Sequence, residues 1–254
     1  MGLGRAIYVL IFPLFFTVVG FVLSIITFFG SYENAASLHN VNYMTIDLGK
    51  ISIDGVSSKE FFDKANSSSA FSIGTNGICS GSSTTDMTSC FTPQEPFYFS
   101  FLDIVKAAGL SGITNELPDQ IQDYDRISKA TTLGIWGCFL ATICLGALGG
   151  VCGILAMCSR IATGFSEFFV SLAFIGAALG AALATGVYHV YSNKINELVG
   201  DVGIEASLNS TGLGIAWATA AAFLVADLFY IIASCCCISR RPKYVTVPEK
   251  NEFM

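Results

Sequence analysis

Residues 131–157 read TTLGIWGCFLATICLGALGGVCGILAM, a run without one charged side chain or histidine. A helix rises about 1.5 Å per residue, and about 20 residues cross some 30 Å of hydrocarbon, so this stretch is long enough to span a bilayer. Working outward from it, three more runs of this kind appear: Ala6–Phe29, Ile161–Tyr191 and Gly212–Ile238. The chain is 53% hydrophobic and only 13% charged, which sets it apart from ordinary soluble domains. The expected fold class is an α-helical membrane protein. It is a four-transmembrane-helix bundle with a small, disulfide-closed, mixed α/β extracellular domain. The first run is too long for the apolar core of a secretory signal and no small-x-small cleavage site follows it. With Arg5 just ahead, it is expected to remain as an anchor.

The short flanks orient the chain. Arg5 precedes the first run, Arg160 lies between the second and third, and Arg240, Arg241 and Lys243 follow the fourth. Positive charge in short flanks stays in the cytosol, so both termini are expected there. The expected divisions are a cytosolic N-terminus (1–5), helix one (6–29), an extracellular loop domain (30–130), helix two (131–157) and a cytosolic turn (158–160). Helix three (161–191), a short outer loop (192–211), helix four (212–238) and a cytosolic tail (239–254) complete them. Two glycosylation sequons, at Asn66 and Asn209, fall in the two outer loops, with Asn66 the better placed because Asn209 lies so near the fourth helix.

Nine cysteines divide by compartment. Cys79 and Cys90 are the two on the expected outer side, where oxidation is permitted, and they are expected to pair. The Ser/Thr/Gly-rich stretch between them has no apolar means of folding itself. Cys138, Cys144, Cys152 and Cys158 read as packing residues along the second helix, and no C-x-x-C occurs. Cys235, Cys236 and Cys237 end the fourth helix beside basic residues and are candidates for S-acylation. Small residues such as Gly146, Gly149, Gly150 and Gly153 are expected to let helices approach closely. Asp227 is the conspicuous intramembrane residue. With no Lys or Arg at its depth, its expected partners are hydroxyls, waters or carbonyls, as a fastener between helices or as a proton or cation contact. Glu167 is read as reaching the interface and His189 as an interfacial residue beside Tyr188 and Tyr191.

In the long loop, the alternation over Met44–Ile53 predicts a strand or two, and Phe71-Ser72-Ile73 another. Phe97–Val105, behind Pro96, is read as a helix. Four spans with a large first outer loop holding one close cysteine pair are similar to the claudin-like architecture. Gly74-Thr75-Asn76-Gly77-Ile78-Cys79, then Cys90-Phe91-Thr92-Pro93-Gln94-Glu95-Pro96-Phe97-Tyr98-Phe99, resembles the fungal Sur/PalI group of plasma-membrane tetraspans. The resemblance implies that Cys79–Cys90 is the family's loop disulfide and Gly77 its preceding small residue. Animal claudins carry Trp-Gly-Leu-Trp ahead of the first cysteine, and this loop has no tryptophan. A related branch linked to calcium influx and cell fusion has two apolar residues where Thr75 and Asn76 stand.

Likeness to the eisosome-associated members implies a non-enzymatic organiser of plasma-membrane compartments that supports wall integrity and endocytic control by lateral assembly. The alternative is an accessory or regulatory subunit for calcium influx, cell fusion or pH signalling. That reading draws on Asp227 and on an outer loop with twelve Asp or Glu against six Lys or Arg. No nucleophile–base pair, metal spacing or phosphate loop is evident, and His39 and His189 are isolated, so an enzyme is not expected. Nor is a cofactor, metal or nucleic acid. The expected partners are membrane lipids, neighbouring membrane proteins or further copies, and a cytosolic scaffold at the C-terminal tail.

Overall fold

Inside a bilayer no water is present to satisfy peptide groups, so each long apolar run closes its own hydrogen bonds as a helix. The computed structural model describes residues 3–31, 41–48, 52–53, 56–57, 69–83, 86–91, 100, 119–156, 160–200 and 203–237. It contains helices α1 (Leu3–Phe28), α2 (Asp119–Leu155), α3 (Arg160–Val199) and α4 (Ser210–Cys237). Each includes a stretch long and apolar enough to cross a membrane. α1 packs on α2 and α4, and α3 packs on the same two, so the four close a ring.

Phe223 of α4 fills the ring's centre, fully buried, because Gly20 of α1 and Gly146 of α2 leave it room. A Cβ on either glycine would come within 3.1 Å or 2.9 Å of that ring. α2 and α3 close in the same way: a Cβ at Gly149 would meet Val170 at 2.8 Å, and one at Gly176 would meet Thr142 at 2.8 Å. Gly146 and Gly149, noted in the sequence, thus face inward along with Gly20 and Gly176, whereas Gly134, Gly137 and Gly214 have open space around them. The outside of the ring is apolar, with Phe15, Ile154 and Phe168 each more than half exposed, the pattern of a lipid-facing surface.

A five-stranded antiparallel sheet sits on one end of the bundle. Its strands are β1 (Met44–Asp47), β4 (Ala70–Ile73), β5 (Ile78–Ser83), β6 (Asp86–Phe91) and β7 (Glu205–Leu208), in the order β6-β5-β4-β1-β7. β2 (Ser52–Ile53) and β3 (Val56–Ser57) form a separate pair. Because side chains alternate along a strand, the register writes rows across the sheet. Ala206, Ile46, Phe71 and Ser80 form one row; Leu208, Met44, Ile73 and Ile78 form another. Their apolar members join Phe28, Ile135, Phe139, Ala181 and Tyr188 in one core, so this face rests on the helix ends. The other face carries the row Ser207, Thr45, Ser72, Cys79 and Cys90.

Cys79 and Cys90 face each other across β5 and β6 and form the disulfide. Residues 80–83 and 86–89 of the Ser/Thr-rich stretch between them are strand. Backbone pairing needs no apolar side chain, and the bridge fixes the register that the side chains leave open. Three further features lie outside the sequence expectations. α2 begins at Asp119 and α3 runs to Val199, both past the apolar limits, and the short second loop contributes β7. One set of contacts links the last two. Asn196 Nδ2 donates to the Ala206 carbonyl at 2.9 Å, and its Oδ1 accepts the Ala206 N–H at 2.8 Å. Ser192 Oγ donates to the same carbonyl at 2.8 Å. These bonds hold the polar end of α3 helical, and they occupy backbone groups that an edge strand would otherwise offer to another chain.

Cys79 and Cys90 lie 11 residues apart, a loop whose closure is worth about 3 kcal/mol on the chain-entropy model. The Cys79→Ser/Cys90→Ser variant should therefore show faster amide hydrogen exchange in β4, β5 and β6, with the inner turns of α2 and α3 unchanged. Unchanged exchange in the hairpin would mean that the ladder alone holds it.

Candidate functional site

Among the described residues, polar side chains gather where the sheet joins the bundle and again at membrane depth between α3 and α4. Among the described residues, no group of three His, Cys, Asp or Glu side chains could hold a metal ion.

At the junction, the first turn of α4 needs partners for its free N–H groups. Asn209 supplies one, its Oδ1 accepting the Thr211 N–H at 2.9 Å as an N-cap. Its Nδ2 donates to Asn42 Oδ1 at 2.8 Å, and its backbone N–H donates to the Tyr43 carbonyl at 2.9 Å. The chain leading into β1 is thereby pressed against α4. A Cβ at Gly212 would lie 2.1 Å from the Asn42 carbonyl oxygen, so only glycine fits there. The sequon nitrogen of Asn209 is thus engaged in the fold, one of its two hydrogens being given to Asn42.

The turn from Gly74 to Gly77 docks on the other two sides. Gly74 packs on the end of α1, where a Cβ would come 2.6 Å from the Gly30 carbonyl. Thr75 Oγ1 lies 2.8 Å from the Thr27 carbonyl oxygen and 2.9 Å from Tyr43 Oη. Its single proton goes to the carbonyl, which can only accept, so the phenol donates to Thr75. Burial pushes the Tyr43 phenol well above its ordinary range, and Tyr43 stacks on Tyr188 with ring centres 5.3 Å apart. Trp136 Nε1 of α2 donates to Asn76 Oδ1 at 3.1 Å. The two polar residues between the glycines, which the sequence presented as a departure from a related branch, are the ones that tie the sheet to α1 and α2.

At membrane depth, Ser171 Oγ of α3 donates to Asp227 Oδ1 of α4 at 2.5 Å. Ser234 Oγ of α4 donates to Glu167 Oε2 of α3 at 2.7 Å, and Trp217 Nε1 donates to Thr185 Oγ1 at 3.1 Å. Glu167, read from sequence as an interfacial group, is held in this seam. A carboxylate within a spanning helix costs about 2.5–3.5 kcal/mol on insertion scales, which a hydroxyl partner offsets only in part. Tyr230 Oη is buried without a hydrogen-bond partner and lies 2.5 Å from where a Cβ on Gly153 would stand.

The remaining candidates are dispersed. Cys138 and Cys152 are half-buried and Cys144 is exposed, all along α2. Cys235, Cys236 and Cys237 close α4. His189 is exposed and pairs with Asn193, while its neighbours Tyr188 and Tyr191 are buried in the core. Asn66, Cys158, the segment 97–105 apart from Ser100, and the tail 239–254 lie outside the described residues.

Four spanning helices capped by a disulfide-closed sheet define a multi-pass membrane protein with a small extramembrane domain locked onto its bundle. The sequence matches the SUR7/PalI family over residues 9–229 of 254. The chain belongs to that family. Comparison with curated proteins gives no match.

Two outcomes are expected at the junction. Gly212→Ala should abolish folding or lower the melting temperature of the purified protein by more than 5 °C, whereas Gly214→Ala, in open space, should leave it within about 2 °C. Endoglycosidase treatment of Asn66→Gln protein recovered from a eukaryotic host should give no mass loss, because Asn209 is committed to the fold. A glycan removed from folded Asn66→Gln protein would show that the bond to Asn42 does not keep Asn209 from being glycosylated.

Proposed function

We propose that the protein is a non-enzymatic organiser of plasma-membrane compartments, acting by lateral assembly, with the sheet outside the cell and both termini in the cytosol. The observation that carries this reading is the coupling of sheet to bundle. Thr75, Asn76 and Asn209 bind the extramembrane domain to α1, α2 and the β1–α4 crossing, so a contact made outside the membrane is transmitted to the position of the bundle within it. Membership of the SUR7/PalI family supports the same direction. In this reading, a glycan at Asn66 and acyl chains on Cys235, Cys236 and Cys237 adjust the surroundings the protein prefers. The basic tail from Arg240 meets a cytosolic scaffold or anionic lipid. Compartments of this kind support wall integrity and endocytic control.

The test is photobleaching of the protein tagged after Met254 in its native cell. Static plasma-membrane patches that recover slowly are expected, and Trp136→Phe, which loosens the sheet from α2, should at least double the recovery rate. Freely mobile protein, or protein confined to growth or fusion sites, would overturn the organiser reading in favour of a signalling or ion-influx subunit.

A further inference from the structure

The polar pairs between α3 and α4 lie in the groove on the outside of the ring. Glu167, Ser171 and Thr185 are all partly exposed, as are Asp227 and Ser234, while the core at this level is Val170, Ala173, Phe223 and Tyr230. Beside Asp227, Leu224, Leu228 and Ile231 are 39%, 50% and 40% exposed, so the carboxyl sits in a lipid-facing apolar surface. One hydroxyl leaves most of a carboxyl group's hydrogen-bonding capacity unused, and lipid chains supply none. The apolar runs of α3 (Ile161–Tyr191) and α4 (Gly212–Ile238) contain no Lys or Arg to complement it.

We propose that this groove is the contact between two copies of the chain, with the two Asp227 side chains facing each other. The proposal deepens the lateral-assembly reading and rests on it. All copies in a membrane share one orientation and one depth, so a two-fold axis along the membrane normal brings a residue near it opposite its own counterpart. Across the pair the two carboxyl groups hydrogen-bond to each other, and Ser171 of each copy keeps its bond. Leu224, Leu228 and Ile231 close around the pair and exclude lipid.

Oxidative cross-linking of the full chain in native membranes tests this. Leu224→Cys and Leu228→Cys should each give a band at twice the chain's mass. The unmodified protein and Val18→Cys, equally lipid-exposed on α1, should not. Adding Asp227→Leu should cut the band at least tenfold, whereas Asp227→Asn, whose amide also donates and accepts, should keep most of it. Absence of the band, an equal band from Val18→Cys, a band of some other mass, or indifference to Asp227→Leu would each overturn the proposal. Should Asp227→Leu fail to reach the membrane, the comparison of Leu228→Cys with Val18→Cys decides alone. Static patches without the dimer band would sink the interface and leave the organiser reading standing. A dimer band from freely mobile protein would do the reverse.

Discussion

The fold turns on one close approach: the Asn42 carbonyl occupies the space where residue 212 would otherwise carry a side chain. The chain between α1 and β1 and the start of α4 come from distant parts of the sequence, and they meet with no gap. Once they meet, Asn209 can cap α4 and bind Asn42 with a single side chain, and β1 is delivered between β4 and β7. Every later feature of the sheet follows from where β1 lies. Its inward residues Met44 and Ile46 are fully buried over the bundle, and its partners inherit their register from it.

How much of this was legible depends on whether the signal was local. The four helices were, because Thr131–Met157 and its counterparts exceed a bilayer's thickness in apolar residues and have no other stable form there. β1 and β4 were, through alternation at Met44–Asp47 and Phe71–Ile73. The hairpin of β5 and β6 was not: Ser80 pairs with Ser89 and Gly81 with Met87, and neither row has the apolar alternation that announces a strand. β7 was hidden for the same reason, since Glu205-Ala206-Ser207-Leu208 is strand only because β1 and Asn196 hold it on both sides. One local sign went unread: Asp54-Gly55, a strong hairpin dipeptide, separates β2 from β3.

The candidate site divides the same way. The isolated charge of Asp227 stands out in any apolar run, yet its partner Ser171 could not be named without knowing how α3 and α4 pack. Glu167 looked interfacial because it is near the end of its run, and only the Ser234 bond draws it into the seam. Thr75 and Asn76 are the instructive pair. As sequence they were two polar residues where a relative has apolar ones. In the fold each finds a partner on a helix more than forty residues away, which makes polarity a requirement of the turn.

The position of the membrane-depth carboxyls also bears on whether the bundle itself could conduct an ion. A conducting path needs polar groups along an open axis. Here the axis is filled by Phe223, wedged against Gly20 and Gly146, and by Tyr230, whose hydroxyl stops against Gly153. Asp227 and Glu167 lie to one side, in the α3–α4 groove, each held by a serine. Opening the axis would require removing two fully buried aromatic side chains from close-packed glycine contacts, a loss of several kcal/mol for each. Polar groups placed on the rim of this packed bundle serve contacts between its helices and stay open to neighbours. This geometry therefore directs the search for function toward what lies beside the protein in the membrane.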